Sequence, residues 1–223
     1  MFLPIPNVLK ADEVRSIRER LEKERFTDGG STAGRQARRV KRNQQLPREG
    51  AVARELGRVV LQALQRHAGF NAATLPHRVT APLFNLYAGG MTYGPHVDNA
   101  IMYQPQPLRS DVSVTVFLSE PGEYDGGELV IEDGALRQKV KLPAGSALAY
   151  PSTSVHHVEP VTRGARYAAV VWVQSLVRDP ERRRILFDLD RATQALLKRD
   201  PEAPEARILT ASYHNLVRLW AEA

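Results

Sequence analysis

The chain has 223 residues, 43% of them hydrophobic and 25% charged, an ordinary globular composition with room for one full domain and an appendage. It contains no cysteine, which excludes disulfides, thiolate nucleophiles and Cys-ligated zinc or iron–sulfur sites, so any metal must be held by His, Asp or Glu. The formal charge of +6 invites a nucleic-acid reading, but the basic residues are spread out, with local clusters at Arg35–Arg42 and Arg178–Arg184 that read as solvated helix faces; nucleic acid is not expected as a partner.

The opening MFLPIPNVLKADEV places Lys10 after its apolar residues and lacks a small-residue cleavage site, so no signal peptide is read. No apolar stretch is long enough to span a bilayer, and a cytoplasmic location without membrane attachment is expected. Residues 10–25 predict a helix with Val14, Ile17 and Leu21 as its apolar stripe. FTDGGSTAGRQ predicts a loop, and 49–67 a second helix with Val52, Leu56, Val59 and Ala63 on one side.

From about residue 78 to 176 the texture changes to short β-rich runs between Gly and Pro. These are RVTAPLFNLY, DVSVTVFLSE, GELVIED, LRQKVKL, SALAYP and RYAAVVWVQSLV, which predict a sandwich or barrel. DVSVTVFLS alternates, with Val112, Val114, Val116 and Leu118 on one face and Ser113, Thr115 and Phe117 on the other. Between the first two runs, Asn99–Asp111 carries Pro105 and Pro107 and reads as an irregular loop, part of a lid at the mouth of a site. After residue 178 helical spacing returns, with Ile185, Leu189 and Leu196 in one segment and RILTASYHNLVRLWAEA as another. Asp179-Pro180 and Asp200-Pro201 both read as helix starts.

His96 and Asp98 in YGPHVDNA sit two apart on an extended segment, which puts an imidazole and a carboxylate on one side. A third ligand would make a metal site. His67 lies at a helix end, His214 in the last helix, and His77 has no carboxylate near it, which leaves the doublet His156-His157 in the same β-rich region. Adjacent imidazoles on a strand face opposite ways, so strand parity makes one of the two available without saying which. Two His and one carboxylate would leave three metal positions open, the arrangement of non-haem Fe(II) oxygenases. Arg166 shares a strand face with Ala168, Val170 and Trp172. If that face is interior, its guanidinium needs an anionic partner, and bidentate capture of a carboxylate suits it; the alternative is a strand-end Arg that reaches solvent or pairs with Glu159.

The H-x-D pair, a His 58 positions after Asp98 and an Arg ten further on resemble the Fe(II)/2-oxoglutarate-dependent dioxygenases. More narrowly, NLYAGGMTYGPHVDNA, SVTVFLSEPGEYDGGELVIEDG and GSALAYPSTSVHHVEPVTRGARYAAVVWVQS are similar to the prolyl-hydroxylase-like branch and its bacterial PKHD-type hydroxylases. STAGRQARRVKRNQQL and the helical tail extend the likeness over essentially the whole chain. The resemblance implies an α+β fold: a double-stranded β-helix (jelly-roll) core with N-terminal supporting helices and a small C-terminal helical unit. It implies domains at 1–177, with the catalytic core at about 78–177, and at 178–223.

It also implies roles. His96, Asp98 and His156 are the catalytic metal ligands, His156 being chosen over His157 because it lies four residues before Pro160 and ten before Arg166. Arg166 clamps the C5 carboxylate of 2-oxoglutarate. Tyr87 donates a hydrogen bond to this co-substrate, with a core tyrosine as the competing reading; Asn85, Tyr93, Asn99 and Thr115 are lesser pocket candidates. The implied cofactors are Fe(II), 2-oxoglutarate as co-substrate, O2, and L-ascorbate (vitamin C) as an optional reductant. The implied activity is hydroxylation of an unidentified small molecule or peptide, releasing succinate and CO2, in a context of iron homeostasis. The alternative is a non-catalytic metal-binding β-barrel, a sensor or degenerate relative, against which Arg166 at this spacing argues. A hydrolytic zinc site lacks a general-base Glu beside the ligands. Leu219 and Trp220 in the tail leave a homo-oligomer open, with packing within the chain preferred.

Overall fold

The computed structural model describes residues 1–32, 34, 37–103, 106–134 and 136–222. Strand β1 (Leu3–Ile5) is followed by helix α1 (Ala11–Leu21), whose first turn is closed by Glu13 accepting the Lys10 N–H at 2.8 Å. Three two-residue strands come next: β2 (Thr27–Asp28), β3 (Lys41–Arg42) and β4 (Gln44–Gln45). Helices α2 (Ala51–Arg66) and α3 (Ala68–Thr74) complete the N-terminal part. In α2 the buried stripe is Ala53, Leu56, Val60, Ala63 and Leu64, so the predicted Val52 and Val59 flank it.

Strands then dominate. β5 (Pro76–Val79), β6 (Leu83–Ala88) and β7 (Thr92–His96) precede a hairpin of β8 (Ile101–Tyr103) and β9 (Pro107–Arg109). They are followed by β10 (Val112–Phe117), β11 (Tyr124–Gly126), β12 (Leu129–Asp133) and β13 (Leu136–Val140). β14 (Ala147–Pro151), β15 (His156–Val158) and the long β16 (Val161–Ser175) end the series, before α4 (Pro180–Arg199) and α5 (Pro204–Trp220).

The pairings are antiparallel and form two main sheets. The larger runs β1-β14-β10-β16-β6-β4-β2, with β5 and β11 also paired to β16; the smaller runs β13-β12-β15-β7-β3. Helices α1, α2 and α3 cover one face of the larger sheet, where Val114, Val116 and Val171 pack with Ile17, Val60 and Phe70. The other face meets the smaller sheet, where Tyr87, Phe117, Leu148 and Tyr150 pack against Leu129, Ile131 and Val158. β10 is therefore buried on both sides: its valines face the helices, while Ser113, Thr115 and Phe117 face the second sheet. Among the described residues no helix is long and apolar enough to cross a membrane.

Two expectations need correction. The segment 99–111 is not an irregular loop, since Ile101–Tyr103 pairs with Pro107–Arg109 in antiparallel register; Pro105 falls outside the described residues. Asp200-Pro201 does not start a helix. Asp179 caps α4 by accepting the N–H groups of Glu181 and Arg182, as expected, but Asp200 ends α4 and the next helix begins at Pro204.

The Gly126-Gly127 step out of β11 brings the chain back close to β16. Both glycines are left-handed, at φ +70° and +67°, and a Cβ on Gly126 would collide with the Pro160 carbonyl oxygen. Gly126→Ala is expected to cost on the order of 2–4 kcal/mol, a left-handed penalty plus a backbone clash. Urea denaturation checks this, and a midpoint equal to that of the unmodified protein would refute it.

Candidate active site

His156 sits directly opposite His96 in the β15–β7 register, which brings the two rings to a centroid separation of 4.2 Å. Asp98 follows just past the end of β7, and one ligand atom from each of His96, Asp98 and His156 lies within 4.8 Å of the others. Each imidazole donates its Nδ1–H to the carbonyl two residues earlier: His96 to Gly94 at 2.9 Å and His156 to Ser154 at 3.0 Å. That tautomer leaves both Nε2 lone pairs available as metal donors. Asp98 Oδ2 accepts the Ser113 hydroxyl at 2.6 Å, and Ser113 is itself 2.8 Å from Ser152 Oγ. Burial, reinforced by the neighbouring His156, presses His96 down to about 4, so its ring is neutral at physiological pH.

His157 lies outside this group. It pairs with Val130 on β12, and its Nε2 is 3.7 Å from Glu159 Oε1. The other histidines are likewise elsewhere. His67 caps α3 and bonds the Pro6 carbonyl at 3.0 Å, His77 is exposed on β5, and His214 lies on α5 beside Tyr213.

The triad borders a cavity of about 210 Å³ that Arg166 also lines. Arg166 is 2% exposed, with its guanidinium 5.3 Å from the Tyr87 ring centre and 5.4 Å from that of Phe117. It makes no ion pair among the described residues, and its Nε has no hydrogen-bond partner. Glu159, the alternative partner, pairs with Lys139 at 3.2 Å instead. A buried guanidinium left this way is unfavourable until an anion reaches it. Tyr87 stands opposite Arg166 in the β6–β16 register, and burial raises its hydroxyl to about 12 against the opposing pull of the guanidinium. The phenol therefore stays protonated and able to donate. Asn85, Tyr93, Asn99 and Thr115 line the cavity as well.

Ser113, Lys41, Gln45 and Arg48 were not among the sequence-derived candidates. Ser113 carried a signal, being a hydroxyl on the inward face of an otherwise valine-rich strand. Gln45 joins Asn43 in donating to Asn85 Oδ1, at 2.7 and 2.9 Å, which fixes β4 against β6. Two imidazoles and a carboxylate suit a divalent first-row metal with positions left open, and the guanidinium without an ion pair suits a ligand carboxylate. The residues present thus fit both a metal and a dicarboxylate beside it.

Comparison with known proteins agrees. Residues 82–174 match the 2OG-Fe(II) oxygenase superfamily, and residues 180–222 match the PKHD-type hydroxylase C-terminal domain. A PKHD-type hydroxylase of Burkholderia ambifaria (strain MC40-6) is 52% identical over 226 residues, covering 100% of both chains. One from Xanthomonas euvesicatoria pv. vesicatoria (strain 85-10) is 51% identical over 227, again covering 100% of each. Among solved structures, a Pseudomonas putida prolyl-4-hydroxylase superposes with a TM-score of 0.53 at 20% identity, over 78% of this chain and 92% of that one. A Trichoplax adhaerens prolyl hydroxylase, solved with a hypoxia inducible factor peptide, gives 0.53 at 17% identity, over 83% and 86%. The full-length identities decide the assignment: the chain belongs to the PKHD-type hydroxylases of the 2OG-Fe(II) oxygenase superfamily and is a 2-oxoglutarate-dependent hydroxylase.

Proposed function

We propose that His96, Asp98 and His156 hold Fe(II), and that Arg166 takes the distal carboxylate of 2-oxoglutarate in the same cavity. The observation that carries this is the pairing, across one buried space, of a three-donor cluster with a guanidinium that makes no ion pair among the described residues. When bound, Fe(II) with 2-oxoglutarate and O2 supplies the oxidant for hydroxylating a C–H bond, the co-substrate leaving as succinate and CO2. The Gly94 and Ser154 carbonyls hold the two imidazoles in the ligating tautomer, and Ser113 orients the Asp98 carboxylate. Arg166 offers a forked, charge-assisted grip in a desolvated wall, and Tyr87 adds a protonated hydroxyl beside it. The apolar residues between the sheets keep bulk water from the reacting centre.

The two facing antiparallel sheets support a double-stranded β-helix as the core. We take residues 1–177 as the catalytic unit and 178–223 as a C-terminal helical unit, a division supported by the two family matches ending at 174 and starting at 180. The iron-homeostasis context and L-ascorbate as reductant rest on the family likeness alone. The Trichoplax relative was solved with a peptide, which keeps peptides among the candidate substrates.

Anaerobic protein given Fe(II) and 2-oxoglutarate together is expected to develop a visible metal-to-ligand charge-transfer band that neither addition produces alone. Folded protein without that band would sink the assignment.

A further inference from the structure

The cavity wall holds two cations that the chemistry above does not use, Lys41 and Arg48. Lys41 is 9% exposed, and its ammonium lies 5.1 Å from the Tyr93 ring centre. Tyr93 stacks on His96 at 3.6 Å, so the amine stands one ring away from the triad. Arg48 is near enough for the two like charges to repel; Asp98 and Asp28 act on Lys41 in the opposite sense, and Glu49 does so on Arg48. Burial and Arg48 hold Lys41 down at about 8, which still leaves it mostly protonated at neutral pH.

Among the described residues lining the cavity, Asp98 is the one carboxylate. Of the charged side chains lining the cavity, Arg166, Lys41 and Arg48 are cationic against Asp98, and a divalent ion with a dicarboxylate co-substrate would leave that difference unchanged; Asp28 and Glu49, outside the lining, offset part of it. A cationic surplus in a low-dielectric cleft concentrates anions. The same cavity is also lined by apolar and aromatic side chains. Ile101 and Tyr103 on the hairpin are 41% and 75% exposed, although they line the cavity, and Met102 packs towards Trp172. Trp172 is 8% exposed, and its Nε1–H has no hydrogen-bond partner among the described residues.

We propose that the primary substrate carries an acid group, carboxylate or phosphate, on an apolar or aromatic body. Lys41 and Arg48 take the acid group, Met102, Tyr103 and Trp172 hold the body, and the Trp172 Nε1–H meets an acceptor on it. This rests on the oxygenase reading and gives its substrate a chemical class.

Trp172 and Trp220 are the two tryptophans, so a Trp220→Phe background leaves Trp172 as a reporter inside the cavity. Full-length protein is loaded anaerobically with Fe(II) and saturating 2-oxoglutarate, and its charge-transfer band is recorded. It is then titrated with phenylacetate, phenyl phosphate and uncharged phenylacetamide while Trp172 emission is followed. At least one acid should bind about tenfold or more tightly than the amide, and the tighter acid identifies the group preferred. In Lys41→Met the margin should shrink to about twofold with the band unchanged; if that variant does not fold, Arg48→Met makes the same comparison. Equal binding of acids and amide overturns the proposal, and so do flat titrations with all three. A preference that survives in the Lys41→Met, Arg48→Met double variant overturns it too, as does an acid displaced by raising 2-oxoglutarate. Absence of the band before any probe is added is a different failure, that of the oxygenase reading itself.

Discussion

Arg166→Met is expected to separate co-substrate binding from fold stability in opposite directions. Losing one partner of a buried, hydrogen-bonded charge pair costs about 2–5 kcal/mol, which raises the KM for 2-oxoglutarate by roughly 30- to 5,000-fold. In the free protein, however, the guanidinium makes no ion pair among the described residues and is only 2% exposed, packed over Tyr87 and Phe117. Replacing it with an apolar chain of similar length removes a desolvated charge, so the thermal midpoint of the co-substrate-free variant should be unchanged or higher. Metal binding should persist, because none of the three donors touches this side chain through a hydrogen bond. Initial rates against 2-oxoglutarate concentration, with a melting curve of the free protein, check both halves. A large loss of stability with an unchanged KM would make Arg166 a packing residue and remove the clamp.

The sequence was informative wherever the deciding interaction was local. The alternation of DVSVTVFLS is a property of one strand, and it separates the helix-facing valines from Ser113 and Thr115 without knowledge of the partners. Asp179-Pro180 caps a helix by contacts within one turn. Asp200-Pro201 has the same dipeptide but not the same outcome. A helix beginning at Pro201 would put Pro204 where its missing N–H and its ring would meet the Asp200 carbonyl, so the start moves to Pro204. Non-local pairing hid the rest. Lys41 sits in a run of surface-like cations and is buried only because β3 pairs with β7, placing it opposite Tyr93. The prolines of 99–111 suggested irregular chain, yet Pro107 is the first residue of an edge strand, a position that needs no N–H in the ladder. α3 has a Gly and an Asn among its seven residues, and it forms because His67 caps it and Phe70 is fully buried.

The histidine doublet shows the same limit, and it supplies the sharpest test. Parity leaves His156 and His157 equivalent, and the choice depends on which of them the register sets opposite His96. His156 faces His96 and Asp98, whereas His157 faces Glu159. Substitutions of groups that merely orient a metal ligand cost about 10–100-fold in metal affinity, so His156→Ala, which removes a donor itself, should cost at least ~100-fold and take hydroxylation with it. His157→Ala should stay within about threefold in both, since the side chain lies outside the donor set and the contact it loses is a partly exposed one to Glu159 at 3.7 Å. Titrating Fe(II) or Co(II) anaerobically into the two variants, followed by the visible band with 2-oxoglutarate, reads the difference directly. If His157→Ala were the variant that loses metal, the donor set would be wrong. If both lost it with the fold intact, the register between β15 and β7 would have to differ, because a strand cannot turn both imidazoles to one face.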